Sequence, residues 1–340
     1  MSKTIKNTAT VQHILMPVIY IFLCLVFAFL LNSGSLNEDE KNRSDFEEHY
    51  RIHSLPLPAS VSFAGESISL EDPDNLERYD KELLTNIYWQ SQTLLFIKRA
   101  HKYFPVIEKI LREQNIPDDF KYLAVAESGL QYAVVSPSNA TGVWQFLDGT
   151  GKRYGLTINE EVDERYHLEK ATLAACAYFR EAYNEFNSWA LVAASYNMGI
   201  VGVRKQLEMQ QTSSFHNLYL NSETSRYLFR IIALKNILNK PEQFGFHVPV
   251  AQHYKMPESI VVHVNSSLPD LAVFANQNNS GYRWLKLLNP WLRKNTLTIK
   301  DGRDYYIRLP KQSSLLSGFR DKIVGDTIEL AATNYNPTVK

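Results

Sequence analysis

The sequence is poor in cysteine and has no excess of charge of either sign. Its 340 residues include only Cys24 and Cys176, one in an apolar run and the other in a helical pattern, which excludes the disulfide framework of a small secreted scaffold. The 36 basic and 36 acidic residues give a formal net charge of zero. Because the basic residues are scattered, no nucleic-acid partner is expected.

Metal-binding motifs are equally scarce. His49 and His53 are four residues apart, so a helix would place them on one face, but they lack the glutamate placement of a zinc-protease motif. They lie in a polar segment, residues 36–75, that contains three prolines and is interpreted as a linker. We therefore predict a solvated linker there and no metal site.

A long apolar run begins the chain. It extends from Ile14 to Leu31, with Pro17 as its only interruption, and Lys3 and Lys6 precede it. The run is long enough to span a bilayer, and the lysines favour a cytoplasmic N-terminus. We predict that residues 1–35 are a membrane anchor that places the rest of the chain in the periplasm. A cleavable signal segment is the alternative.

One glutamate stands where the apolar pattern calls for a hydrophobic residue. Phe120, Leu123 and Ala124 follow helical spacing, and the next position on that face is Glu127. Gly129 indicates that the helix ends there. Burial and the negative end of a helix both raise the pKa of a carboxyl group, as a general acid that works near neutral pH requires. Glu127 is the candidate catalytic acid.

The region around Glu127 contains six short motifs in a fixed order. They are E-S-G-L at 127–130, S-P-S-N-A-T-G-V-W-Q-F at 136–146, T-G-K-R-Y-G-L at 150–156, V-D-E-R at 162–165, A-S-Y-N-M-G at 194–199 and E-T-S-R-Y at 223–227. In this order the motifs resemble the Slt-type, goose-lysozyme-like lytic transglycosylases, and most closely the membrane-bound lytic transglycosylase D type. The resemblance covers residues from about 94 to 241.

The resemblance implies a mainly α, lysozyme-like catalytic domain, placed at residues 76–248. It also implies that Glu127 carries out both proton transfers in a cleavage of peptidoglycan that forms 1,6-anhydromuramic ends, for cell-wall remodelling. Substrate-binding roles follow for five further residues, and neither a metal nor an organic cofactor is implied. These five residues are Ser136, Gln145, Tyr196, Asn197 and Tyr227.

Four other residues receive structural interpretations. Asp148 lies in a turn-like stretch and is interpreted as a turn residue rather than a second catalytic carboxylate. Glu223 is expected to cap the helix that follows it. Trp144 and Trp189 could stack on sugar rings, but the core is the more frequent place for a large aromatic residue in an apolar pattern.

The helices before and after the catalytic region have simpler signals. From Arg78 to Glu113 the apolar residues follow helical spacing, with an expected break near Pro105. Residues 255–312 have a predicted β-α-α-β order, with Ser267 as a possible cap of the first helix. This order is similar to a LysM carbohydrate-binding module, and a small packing appendage is the alternative. Residues 313–340 form a turn-rich tail without a readable function.

Two other functions compete with the transglycosylase. A muramidase of the same fold would hydrolyse the same bond and leave reducing ends. A non-catalytic peptidoglycan-binding protein would need no acid, so a carboxylate on an apolar helix face argues against it. In every case the expected partners are glycan strands of the cell envelope and the membrane.

Overall fold

A computed structural model of the chain describes residues 17, 20–28, 40–41, 43–44, 52–300 and 302–311. The chain divides into two compact units, Met1–Pro56 and Leu57–Lys340. Residues 20–28 of the first unit are helical. Much of the predicted anchor, His49 of the linker and the tail at 313–340 lie outside the described residues. Within the described ranges, no helix has both the length and the apolar character needed to cross a membrane.

The second unit is mainly helical. Its helices are α1 (Pro73–Tyr88), α2 (Gln90–Glu113), α3 (Phe120–Ser128), α4 (Asp148–Arg153), α5 (Leu168–Phe186), α6 (Trp189–Met198), α7 (Ile200–Gln210), α8 (Ser222–Asn239), α9 (Leu271–Gln277) and α10 (Tyr282–Leu288). Its strands are β1 (Ser60–Phe63), β2 (Glu66–Ser69), β3 (Ser259–Val264) and β4 (Tyr305–Pro310). Helix α8 packs against α1, α3 and α6, and α2 packs against α3 and α5. The core therefore surrounds the short helix α3.

Strands β1 and β2 form an antiparallel hairpin that the sequence analysis missed. Phe63 and Ile68 are fully buried, and Lys235 of α8 donates to the backbone oxygen of Ser62 at 3.0 Å. Alternate residues of β1 are buried, which is the pattern of a strand with one face on a core. The linker prediction for residues 36–75 is therefore wrong for the hairpin, because its apolar residues pack on the helical core.

The break between the first two helices lies at Trp89 rather than at Pro105. Trp89 ends α1, and its N–H donates to the oxygen of Thr85 at 3.1 Å. Pro105 stays inside the 24-residue helix α2. Proline removes one helical hydrogen bond, and burial of the apolar face of α2 around it compensates for that loss.

The C-terminal elements have the predicted β-α-α-β order. Strands β3 and β4 pair antiparallel, with Ser259 opposite Pro310 and Val264 opposite Tyr305. Helix α9 begins later than expected, since Asp270 rather than Ser267 is its cap. The Asp270 carboxylate accepts from the N–H groups of Ala272 and Val273, at 2.7 and 3.0 Å.

This C-terminal module, residues 259–310, shares one hydrophobic core with the V-D-E-R segment. Val162 and Tyr166 belong to the same buried cluster as Leu285, Leu292 and Ile307 of the module. Val162 also forms an isolated antiparallel bridge with Leu292. The contact is therefore a continuous core rather than a loose junction.

Polar contacts reinforce that shared core. The N–H of Thr298 donates to the Glu161 carboxylate at 2.7 Å, and the Thr296 hydroxyl also donates to it. Arg308 of β4 forms an ion pair with Glu169 at 2.6 Å. Buried apolar contact and paired charge therefore fix the module on the segment between Glu161 and Glu169.

Candidate active site

Glu127 lies in the last turn of α3, as its sequence pattern predicts. Helix α3 begins at Phe120, after the turn that contains Pro117, and ends at Gly129, whose φ of +58° is left-handed. The Gly129 N–H donates to the oxygen of Val125 at 2.8 Å. A Cβ at Gly129 would lie 2.6 Å from the Phe96 ring. Both the left-handed cap and this close approach require glycine there.

Burial controls the charge of Glu127. Its carboxyl group has a pKa raised to about 7, chiefly because burial disfavours the charged form. The negative charge of Glu223 raises the pKa further, whereas the hydrogen bond from Tyr227 and the positive charge of Arg230 lower it. A carboxyl group with a pKa near 7 can both give and accept a proton near neutral pH.

Tyr227 is the one predicted site residue that contacts Glu127 directly among the described hydrogen bonds. Its hydroxyl donates to Glu127 Oε1, and its ring is buried in α8. Burial and the nearby Glu127 carboxylate raise the pKa of Tyr227 well above its usual value. The phenol therefore stays protonated and remains a hydrogen-bond donor to the carboxylate.

Tyr196 supports the neighbouring loop. Its hydroxyl donates to the backbone oxygen of Trp144 at 2.6 Å, and its ring packs against Phe146 and Phe179. Burial and the charge of Glu127 raise the Tyr196 pKa well above its usual value. Tyr196 thus lies within electrostatic reach of Glu127 and fixes the backbone beside Gln145.

Gln145 has a left-handed backbone, with φ of +50°. Its amide nitrogen donates to the oxygens of Gly142 and Val134, at 2.8 and 3.3 Å. Among the described residues nothing donates to its carbonyl oxygen. A non-glycine residue held in this region costs about 1–3 kcal/mol and is often found at functional sites. The turn therefore holds an acceptor oxygen in a fixed place.

Ser136 and Asn197 have structural partners instead of contacts with Glu127. The Ser136 hydroxyl accepts from the Ala140 N–H at 3.0 Å and closes the loop at 136–140. The Asn197 side-chain oxygen accepts a hydrogen bond from the Thr224 hydroxyl at 2.7 Å, and its amide nitrogen donates to the Glu223 carboxylate at 3.3 Å. Asn197 thereby joins the end of α6 to the start of α8.

Trp144 belongs to the core, as expected, whereas Trp189 is half-buried. Trp144 is fully buried, and its indole N–H donates to the Thr172 hydroxyl at 2.9 Å. Trp189 stacks on Tyr183 with a ring-centroid distance of 4.0 Å. Trp144 therefore cannot form a sugar platform, and the Trp189 ring already has an aromatic partner.

The two other acidic candidates differ from their predicted local roles. Asp148 is the first residue of α4 rather than a turn residue, and it forms an exposed ion pair with Lys152 at 2.8 Å. Helix α8 is capped by Asn221, whose side chain accepts from the N–H groups of Glu223 and Thr224. Glu223 occupies the first turn, where a negative charge is still favourable.

Sequence reasoning missed Arg230, which acts on the site, and the ion pairs that hold it. Arg230 lowers the pKa of Glu127 and also contacts the buried Glu82 of α1 at 3.2 Å. Arg226 binds the other oxygen of Glu82 at 2.5 Å. A signal was present in the spacing, because Glu223, Tyr227 and Arg230 follow one another at i, i+4 and i+7 and share a helix face.

Comparison with known proteins assigns both parts of the second unit. Residues 104–219 match the transglycosylase SLT domain, and residues 261–313 match the soluble lytic transglycosylase C-terminal LysM-like domain. The chain is 27% identical over 292 residues to membrane-bound lytic murein transglycosylase D of Escherichia coli strain K12. The same values hold for that protein from E. coli O6:H1.

These alignments cover 81% of this chain and 63% of each relative. The chain therefore spans less than two thirds of the length of the curated relatives it matches. It contains a lysozyme-like SLT domain followed by a LysM-like domain, and it is homologous to the transglycosylase D proteins. The resemblance inferred from the six motifs is confirmed at this level.

Proposed function

We propose that this protein is a lytic transglycosylase that cleaves the β-1,4 bond between N-acetylmuramic acid and N-acetylglucosamine in peptidoglycan. The observation that carries the proposal is Glu127, a half-buried carboxyl group with a pKa of about 7 in a segment that matches the SLT domain. The names of the relatives refer to the same substrate. The LysM-like match supports glycan as the partner of the C-terminal module.

In the first step, protonated Glu127 gives its proton to the glycosidic oxygen. The bond from that oxygen to the anomeric carbon of the muramic ring breaks, and positive charge develops on the ring. The Tyr227 hydroxyl, which donates to Glu127 Oε1, stabilises the carboxylate that remains. Charge-assisted hydrogen bonds of this kind are stronger than neutral ones.

In the second step, the Glu127 carboxylate takes the proton from the C6 hydroxyl of the same sugar. That oxygen attacks the anomeric carbon and closes the 1,6-anhydro ring. The proton count balances and water is not consumed, so the enzyme is a lyase. An intramolecular nucleophile has a large effective concentration compared with a bimolecular one, which allows one carboxylate to serve both steps.

The other predicted site residues are assigned supporting roles. The fixed carbonyl oxygen of Gln145 is suited to accept from a sugar hydroxyl or an N-acetyl N–H group. Tyr196 holds the Trp144–Gln145 backbone in place. Ser136 and Asn197 are assigned to the substrate-binding surface, where they hold the loop at 136–140 and join the ends of α6 and α8.

The cell envelope is the proposed location. The relatives are described as membrane-bound, and the apolar run at 14–31 supports a membrane anchor with the catalytic domain in the periplasm. Cell-wall remodelling in a Gram-negative bacterium is the role that fits this location.

The test is a digestion of purified peptidoglycan by the full chain in detergent, with the products identified by mass spectrometry. We expect anhydromuramic ends from the wild type and none from Glu127→Gln. Glu160→Gln is the matched control, since Glu160 is 90% exposed and should behave as wild type. Reducing ends would assign the protein to the muramidases. Full activity in Glu127→Gln would remove Glu127 from the mechanism.

A further inference from the structure

A cleft with basic walls opens beside the loop that follows Glu127. Helix α2, residues 130–133 and residues 251–255 surround an open space of about 710 Å³. This volume lies in the range of pockets that bind small ligands. Its cationic side chains are those of Arg99, Lys102 and Lys255, and we call this space the basic cleft. Burial and nearby positive charge lower the pKa of His253, so His253 is neutral near pH 7. No aspartate or glutamate lines it among the described residues.

Within the described part of the chain, the positive charge of the cleft has no carboxylate partner in the cleft itself. Arg99 donates to the neutral backbone oxygen of Gly129 at 3.1 Å. Lys102 is half-buried and lies over the Tyr103 ring, with its nitrogen 5.0 Å from the centroid. Burial lowers the pKa of Lys102, because its charged form loses hydration. A desolvated charge of this kind gains stability when an anion approaches.

The cleft continues into a second space between α2 and the LysM-like module. Lys102 and Lys255 line both spaces. Glu169 is the carboxylate that lines the second space among the described residues. It is already bound to Arg308 at 2.6 Å and to His167 at 3.3 Å, so it does not neutralise the lysines.

The loop after α3 connects the cleft with the proposed acid. Leu130 and Gln131 line the cleft, only three and four positions after Glu127. The Gln131 amide donates to the oxygen of Ser128 at 3.3 Å, and Arg99 binds Gly129 in the same turn. The loop that lines the cleft therefore begins within three residues of Glu127.

We propose that the basic cleft binds the carboxylates of the stem peptide carried by the muramic acid at the cleavage site. This inference rests on the proposed function. The lactyl group of muramic acid carries a short peptide with free carboxylates, so an anionic branch leaves the sugar beside the bond that breaks. The tyrosines at 103, 132 and 254 add apolar walls with polar ends for the peptide backbone.

The test compares two substrates, namely glycan strands that carry their peptides and the same strands after an amidase has removed them. The variants are Lys102→Met and Lys255→Met in the full chain. Lys109→Met is the matched control, because Lys109 is an exposed residue of the same helix that pairs with Glu113. The measured quantity is the ratio of kcat/KM for the peptide-bearing strand to kcat/KM for the stripped strand.

We expect each cleft variant to lower this ratio roughly tenfold, the usual size of a lost hydrogen bond to a charged group. The ratio should stay at its wild-type value in Lys109→Met. A ratio that is unchanged in both cleft variants would overturn the proposal, as would an equal loss on both substrates.

A failure of the proposed function can be distinguished from a failure of the basic-cleft proposal. If the wild type releases no anhydromuramic product from either strand, calorimetry with a disaccharide-peptide still tests the cleft. Binding that weakens in Lys102→Met and Lys255→Met but not in Lys109→Met would support it. Equal binding by all four proteins would reject the cleft without reference to catalysis.

Discussion

At the scale of single residues, opposing electrostatic effects determine the pKa of Glu127. Burial and Glu223 raise the pKa of Glu127, and Tyr227 and Arg230 lower it. The apolar pattern around Glu127 was enough to predict a raised pKa from sequence. The family resemblance placed Tyr227 at the site. Arg230 was not predictable, because it lies about 100 positions away and reaches Glu127 only through the packing of α8 on α3.

Tyr227→Phe should raise the pKa of Glu127. The lost hydrogen bond stabilises the charged carboxylate, so without it the group stays protonated to higher pH. The alkaline limb of the pH–rate profile should move upward, with a lower maximal rate because the carboxylate intermediate is less stable. Tyr219→Phe is the control, since Tyr219 is 84% exposed. An alkaline limb that stays in place would mean that the Tyr227 bond does not tune the acid.

Glu127→Gln should stabilise the protein above neutral pH. The folded pKa, about 7, lies above the ordinary value of 4.5, so the folded state holds more protons between these values and wild-type stability falls as pH rises through them. The neutral amide avoids this loss. The Tm of the variant should exceed that of wild type at pH 8 and match it near pH 4. A gap of constant size at both pH values would contradict this linkage.

At the scale of elements, helix α8 joins the site to the core. One face presents Glu223, Tyr227 and Arg230, and Arg226 and Arg230 reach across to Glu82 of α1, which is 1% exposed. Such a buried carboxylate is stable because two guanidinium groups pair with it. One of these guanidinium groups, that of Arg230, also lowers the pKa of Glu127.

Glu82→Gln should destabilise the fold by about 2 kcal/mol, below the usual cost of breaking a fully buried pair because both arginines are partly exposed. Denaturant unfolding measures the change. Glu77→Gln, an exposed site on the same helix, should change the midpoint little. If both variants unfolded together with wild type, the Glu82 pairs would contribute nothing to stability.

Helix existence was easier to predict than helix limits. The apolar spacing predicted α1 and α2, yet the break occurs at Trp89 rather than at Pro105 because tertiary burial outweighs the cost of one missing helical bond. The β1–β2 hairpin was missed because its strands have four residues each. Its alternation of buried and exposed residues is too short to stand out in a proline-rich, polar stretch.

At the scale of the whole molecule, the catalytic domain and the C-terminal module share one hydrophobic core, although the sequence predicted them as two separate modules. The motifs and the β-α-α-β pattern predicted two modules, and both are present. Their shared core was not predictable, since Val162 and Tyr166 are ordinary apolar residues whose partners in the module lie about a hundred positions or more later. The second compact unit, Leu57–Lys340, contains both modules.

Leu292→Ala should therefore destabilise both modules together. Leu292 is fully buried and pairs with Val162, and truncation of such a residue usually costs about 2–5 kcal/mol. Calorimetry should show one unfolding transition that moves to lower temperature as a whole. Leu287→Ala, at a 39% exposed position of the module, should move it far less. Two separate transitions, with only the second shifted, would show that the modules unfold independently.

The shared core also limits how this protein can be rearranged. A carbohydrate-binding module that is joined to an enzyme only by a flexible linker can be exchanged between enzymes without disturbing either fold. Here a cut near residue 250 would leave Val162 and Tyr166 without their cover and Glu161 without its threonine donors. Chimaeras that keep residues 161–169 and the module from one parent should fold, whereas those that divide the pair should not. We therefore expect residues 161–169 and the C-terminal module to have been inherited together in the evolution of this protein.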